Sequence, residues 1–189
     1  MKVLAVNGSP RKDGNTAHML NTVLGICAEA GCETEMYHAG GREVRGCLAC
    51  QGCFSDKGKC AIDDWMNELY PKMKEADAIL LGSPTYFSDL TPEMKAVIDR
   101  CGFVGRSDNK AFSRKIGAAV CAVRRAGSIH ALDSMQHFFL INDMVLPGSS
   151  YWNMSLCRDE GEYEEDAEGI KTMKRLGENI VWLLERLKD

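Results

Sequence analysis

The chain has 189 residues, 45% of them apolar, and a formal net charge of −4, enough for a single domain over residues 1–189 with a sizeable core. Its cations are scattered, without the basic stripe or stacking aromatics that nucleic acid demands, and no run approaches the roughly 18 apolar residues of a membrane span. The four apolar residues before Asn7 are too few for a secretory signal, so the expected location is the cytoplasm, where nine cysteines argue for metal, redox chemistry or burial and against disulfides.

Residues 3–6 are an apolar run with the length of a strand buried on both faces. It breaks at Gly8 and Pro10 into the loop NGSPRKDGNT, after which Leu20, Val23, Leu24 and Cys27 mark one face of an amphipathic helix. A loop that opens a helix meets unsatisfied N–H groups and the positive end of the helix dipole, which collect anions. Ser9, Asn15 and Thr16 add neutral donors, and Arg11 and Lys12 add charge. The dinucleotide spacing GxGxxG and the NTP loop GxxxxGK(S/T) are both missing, which leaves a single phosphate monoester as the favoured anion. The competing reading is that Ser9, Asn15 and Thr16 only cap the helix.

Residues 34–38 form a second strand, and residues 39–62 a long irregular stretch holding four cysteines; loops of this length are normally functional. Asp63 or Asp64 caps a helix with the face Met66, Leu69, Tyr70 and Met73. A third buried strand at 78–81 ends in Gly82-Ser83-Pro84. Thr91 as N-cap and Pro92 at the first helical position start a helix with Met94, Val97, Ile98 and Cys101 inside, which Gly102 is expected to stop. The fourth strand, 116–123, leads into Arg124-Arg125-Ala126-Gly127-Ser128 and a helix over 129–141. Residues 144–146 start a fifth strand, and a stripe from Ile170 to Leu187 predicts the last helix. Cys27, Cys101 and Cys121 read as core residues, Cys32 and Cys157 as incidental loop thiols, and the acidic stretch 159–168 as a solvated helix entry. The four histidines show no metal-ligand spacing and no GxSxG elbow accompanies them, so triad hydrolysis is not expected.

The alternation of five strands with five helices predicts an α/β fold, a doubly wound five-stranded parallel sheet with helices on both faces. Such a sheet binds its ligand outside the carboxyl ends of the strands, where strand order switches. The loops NGSPRKDGNT, SPTYFS and RRAGS are therefore expected to converge. SPTYFS is a turn with two aromatic rings, hydroxyls and backbone amides, suited to a flat heteroaromatic ring; alternatively, Tyr86 and Phe87 plug a gap under a helix. Phosphate at the first loop and a ring at the third describe a mononucleotide, and FMN fits both ends.

The runs GSPRKDGNT, GSPTYFSDLTPEMKAVIDR and AAVCAVRRAGS resemble, in the right order and over nearly the whole chain, the NADPH-dependent FMN reductase family of flavodoxin-like proteins, including its iron-sulfur flavoprotein branch. The resemblance implies that Ser9, Arg11, Lys12, Asn15 and Thr16 hold the FMN phosphate and that Pro84, Thr85, Tyr86, Phe87 and Ser88 line the isoalloxazine ring. It brings the 124–128 loop to the ring, with Gly127 allowing close backbone approach and Arg124 or Arg125 supplying a cation. It also implies NAD(P)H as reductant, no acid or base side chain, and a homodimer or tetramer.

Cys47-x2-Cys50-x2-Cys53-x6-Cys60 has the compact spacing of iron-sulfur sites, whereas structural zinc favours two separated CxxC knuckles. The loop resembles that of the iron-sulfur branch, which implies a [4Fe-4S] cluster on these four residues; redox-active free thiols and zinc stay open. With a cluster the expected partner is a ferredoxin-type protein, and without one a small acceptor such as a quinone or free flavin. An electron carrier with no substrate of its own and a thiol-based redox sensor are the alternatives from other classes.

Overall fold

The structure, a computed structural model, describes residues 1–187. In chain order it runs β1 (Lys2–Asn7), α1 (Asn15–Glu29), β2 (Glu33–His38), a single turn α2 (Gly52–Ser55), α3 (Met66–Glu75), β3 (Ala78–Pro84), α4 (Pro92–Ser107), β4 (Ile116–Val123), α5 (Ser128–Ile141), β5 (Met154–Leu156) and α6 (Ala167–Arg186), with a 3-10 turn at Glu162–Glu165. All strand pairs are parallel, in the order β2-β1-β3-β4-β5. This is the flavodoxin-like order, with its switch between β1 and β3.

Burial explains the pattern. β1, β3 and β4 are apolar and buried along nearly their whole length, as strands covered on both faces must be. Alternate side chains divide into two cores. Leu4, Val6, Ile79 and Leu81 pack with Met66, Met94, Val97 and Phe138 of α3, α4 and α5. Val3, Ala5, Leu80 and Val120 pack with Leu20 and Val23 of α1 and with Met173 and Ile180 of α6.

Three expectations are corrected. The fifth strand is Met154–Leu156, not 144–146; Val145 makes only an isolated bridge with Ile116 at the start of β4, and Met144 is buried in the core. Gly102 does not stop α4, which continues to Ser107; it faces the Phe138 ring, where an added Cβ would make only ordinary contact at 3.5 Å. Cys32 and Cys157 are buried in the core between α1, α6 and the sheet, and so are not incidental. Among the described residues no helix is long and apolar enough to cross a membrane.

Candidate functional site

The loop after β1 is folded by its own first residue. Asn7 Oδ1 accepts from Ser9 N (2.9 Å) and its Nδ2 donates to Lys12 O (3.3 Å), while Ser9 Oγ accepts from Arg11 N (3.2 Å). Thr91 Oγ1 donates to Gly8 O (2.8 Å) and His38 Nε2 lies 2.8 Å from Ser9 O. Gly40 presses so close beneath that a Cβ there would stand 2.0 Å from Ser9 O. The N-cap of α1 is Gly14, with no side-chain capping bond, so the reading in which Ser9, Asn15 and Thr16 only cap the helix does not hold. The Gly14 and Ala17 amides donate to Arg11 O (3.3 Å) and Gly14 O (2.8 Å), which leaves the Asn15 and Thr16 amides and the positive dipole end to attract an anion. The Asn15 carboxamide is committed elsewhere: it donates to Asp159 O (2.8 Å) and accepts from Gly161 N (3.1 Å) and Tyr163 N (3.2 Å). It thereby holds the 159–163 turn, with Arg158 just before it, against the start of α1.

The facing wall is the loop between β3 and α4. Thr85 N donates to Ala122 O (2.9 Å) and Thr85 Oγ1 lies 3.1 Å from Cys121 Sγ, which docks the loop on β4. Tyr86 and Asp89 exchange backbone hydrogen bonds around Phe87 (φ 47°) and Ser88 (φ 65°), a turn whose two central residues are both left-handed. That backbone is costly for a bulky residue. It is held by Asp89, whose carboxylate accepts from Leu90 N and Ser134 Oγ at 2.8 Å each, and by Gly127 (φ 91°), where a Cβ would stand 2.6 Å from Ser88 Cα. Burial raises the Asp89 pKa, but these hydrogen bonds and His130 outweigh it and keep the carboxyl below the ordinary range. Phe87 is fully exposed, so it plugs no gap under a helix.

The two loops share one cleft of ≈ 200 Å³ at the carboxyl ends of the strands. Of the predicted residues, Ser9, Arg11, Asn15 and Thr16 line one side of it and Pro84, Thr85, Tyr86 and Arg124 the other. Lys12, Phe87, Ser88 and Gly127 lie outside its lining; Gly127 acts by supporting Ser88. Sequence reasoning missed Pro10, Ala122, Cys157 and Arg158, which also line the cleft. The last two follow β5 directly, and the correct placement of that strand was the signal that would have found them. Arg11, Arg124 and Arg158 thus put three arginines in the lining of one site. Burial pushes the Cys121 thiol up to about 11 and the Cys157 thiol up as well, so neither is a poised nucleophile.

The cysteine loop forms a second cavity, ≈ 120 Å³, lined by Cys47, Cys50, Cys53 and Cys60, with apolar walls that include Leu48, Phe103 and Val104. Left-handed backbone at Ala49 (φ 51°) and Gln51 (φ 59°) turns the chain between the first three thiols. Burial raises the Cys53 pKa against an opposing hydrogen bond with Ser107. Among the described residues no three His, Cys, Asp or Glu side chains converge closely enough to hold one metal ion. Zinc draws four ligands to one centre, while a cubane spreads them over four irons; four cysteines lining one cavity with apolar walls supply the all-thiolate donor chemistry that a cubane uses. Helix α4 joins the two sites. Its N-cap Thr91 is bonded to Gly8 and Ser83 beside the cleft, and Arg100, nine residues on, reaches the cysteine pocket.

Residues 1–159 match the family described as NADPH-dependent FMN reductase. The chain belongs to this family. The match contains all four loop cysteines and every residue lining the cleft. The chain is 34% identical over 200 aligned positions to an iron-sulfur flavoprotein of Methanocaldococcus jannaschii, covering 100% of both chains. It is 31% identical over 196 positions to the iron-sulfur flavoprotein of Methanosarcina thermophila, covering 100% of this chain and 97% of the relative. An archaeal flavodoxin superposes with a TM-score of 0.66 at 19% identity, over 98% of this chain and 99% of that one. The flavodoxin-like fold of this family member is thereby shown.

Proposed function

We propose that this chain is an FMN-dependent oxidoreductase that takes electrons from NAD(P)H and passes them on through a [4Fe-4S] cluster in its cysteine pocket. The observation that carries this reading is the single cleft that joins the cradle at the start of α1 to the docked Pro84–Thr85–Tyr86 wall. FMN bound there supplies the redox chemistry, exchanging two electrons as hydride with a nicotinamide and single electrons with an iron-sulfur centre.

The chain's own residues bind and orient. Ser9, Thr16 and the first-turn amides of α1 meet the phosphate, and Arg11 and Arg158 neutralise it. Pro84, Thr85 and Tyr86 present a preformed wall to the ring, fixed by the bond from Thr85 N to Ala122 O. Arg124, beside the ring, favours the anionic reduced flavin. Cys47, Cys50, Cys53 and Cys60 hold the cluster, in a reducing cytoplasm that keeps their thiols free. The electron partner is a ferredoxin-type protein, with a quinone or free flavin as the small-molecule alternative. Exposed Tyr151 and Trp152 support self-association into a homodimer or tetramer. The relatives are named as flavoproteins and not as reductases, which favours, as a second reading, a carrier with no substrate of its own.

Anaerobic purification followed by absorption spectroscopy, iron and sulfide analysis, and addition of NADPH or NADH tests all of this. About four irons per chain with bleaching of the flavin by a nicotinamide is the expected result. Flavin without bleaching leaves the carrier; flavin without iron leaves the cleft alone.

A further inference from the structure

Helix α4 carries a charge into the cysteine pocket that the flavin cleft does not use. The Arg100 side chain is 0% exposed, and all five of its N–H donors have partners. Nε donates to Cys60 Sγ (3.4 Å), Nη1 to Arg45 O (3.2 Å) and Asp64 Oδ2 (2.7 Å), and Nη2 to Ile62 O (3.3 Å) and Asp64 Oδ1 (2.7 Å). Arg45 precedes the first loop cysteine, and Ile62 and Asp64 follow the fourth, so one side chain grips both ends of the loop. Asp64 takes the terminal edge of the guanidinium and leaves the Nε–H for sulfur. Burial works against the charge on Arg100, but its bonds to Asp64 and Cys60 outweigh that and hold it above the usual arginine value. Lysine, a single point of donors, cannot reproduce this fork.

We propose that Arg100 is a positioning residue of the cysteine pocket: it clasps the two ends of the 45–64 loop and, through its Nε–H to Cys60 Sγ, raises the reduction potential of the iron-sulfur cluster held there. The inference rests on the reading of this pocket as the cluster site. Reduction adds negative charge that spreads onto the sulfurs. A hydrogen bond and a cation at one sulfur therefore stabilise the reduced state more than the oxidised one.

Two variants test it in the anaerobically purified holoprotein: R100K, and R100Q combined with D64N, which removes both charges and leaves no lone buried ion. Iron per chain, the cluster midpoint potential from a spectroscopic redox titration, and FMN affinity are measured for each. The expected result is FMN affinity within about twofold of wild type, iron occupancy reduced by up to about tenfold, and a remaining cluster about tenfold harder to reduce, which is ~59 mV for one electron. Unchanged iron and potential in both variants overturn the role of Arg100 and leave the cluster reading intact. Wild-type protein without iron overturns the cluster reading itself, an outcome seen before any variant is made.

Discussion

Replacing Gly40 by alanine perturbs the proposed phosphate cradle without altering a residue that lines it. Gly40 follows β2, its N–H donates to Asn7 O (3.0 Å), and an added Cβ would stand 2.0 Å from Ser9 O and 2.7 Å from Gly8 O. Ordinary contact begins at 3.4 Å and both neighbours are backbone, so the cradle or the end of β2 has to move by more than an ångström. The displaced oxygens are the ones that His38 and Thr91 engage, so the shift also disrupts the bonds holding the loop. Overpacking of this kind costs about 1–3 kcal/mol of stability. A displaced cradle forfeits a hydrogen bond to a charged phosphate, about 1.5–3 kcal/mol, and FMN then binds roughly 10- to 100-fold more weakly. Calorimetric titration of FMN into wild-type and G40A apoprotein, with urea unfolding alongside, separates affinity from stability. A destabilised G40A protein that binds FMN as tightly as wild type would refute the placement of the phosphate on this loop.

Three further outcomes are expected. Arg158→Ala weakens FMN about tenfold or more, with a dependence on salt, whereas Lys12→Ala, outside the cleft, leaves affinity within about twofold; equal effects in a titration at two ionic strengths would contradict the cleft. Phe87→Asn relieves a left-handed backbone while exposing nothing new, since Phe87 is already in solvent; the melting temperature should rise by about 2–4 °C, and a fall would show that the ring has a partner. Asp64→Asn breaks the pair with Arg100 and costs about 2–3 kcal/mol near neutral pH, toward the low end for buried pairs because Asp64 keeps 22% of its side chain exposed. Burial raises the Asp64 pKa, but its bonds from Arg100 and Met66 N outweigh that and hold it below the ordinary 3.8. Its contribution is therefore complete above about pH 4 and lost as pH falls through the lower folded value. Urea unfolding across that range should show the gap between wild type and D64N closing only in strong acid; a gap that closes already near neutrality would contradict the pairing.

Much of the fold is legible because buried parallel strands write themselves as unbroken apolar runs. β1, β3 and β4 are of this kind, and Thr91 with Pro92 marks the start of α4 in the same local language. β5 is not legible: three residues carry no periodicity, and their position is set by bonds from Cys121 N to Asn153 O and from Cys157 N to Val123 O. The stronger apolar triplet at 144–146 packs beside the start of β4. Misplacing the strand hides Arg158, because only its end brings that residue to the cleft. Asn15 shows a different limit. Its amide is suited to an anion, but its partners lie up to 148 positions away, beyond any local pattern. Phe87 belongs to the aromatic loop in sequence and is turned outward by a left-handed backbone. Arg100 reads as one residue of an amphipathic helix until the loop that precedes it in the chain folds over it.

The most direct test of a cleft with a phosphate at one end and a ring at the other is to titrate FMN and riboflavin into the same apoprotein by calorimetry. The account predicts one FMN per chain and riboflavin at least about 100-fold weaker, since the cradle, Arg11 and Arg158 act only on the phosphate. Equal affinity for the two, or no heat from either, would contradict it.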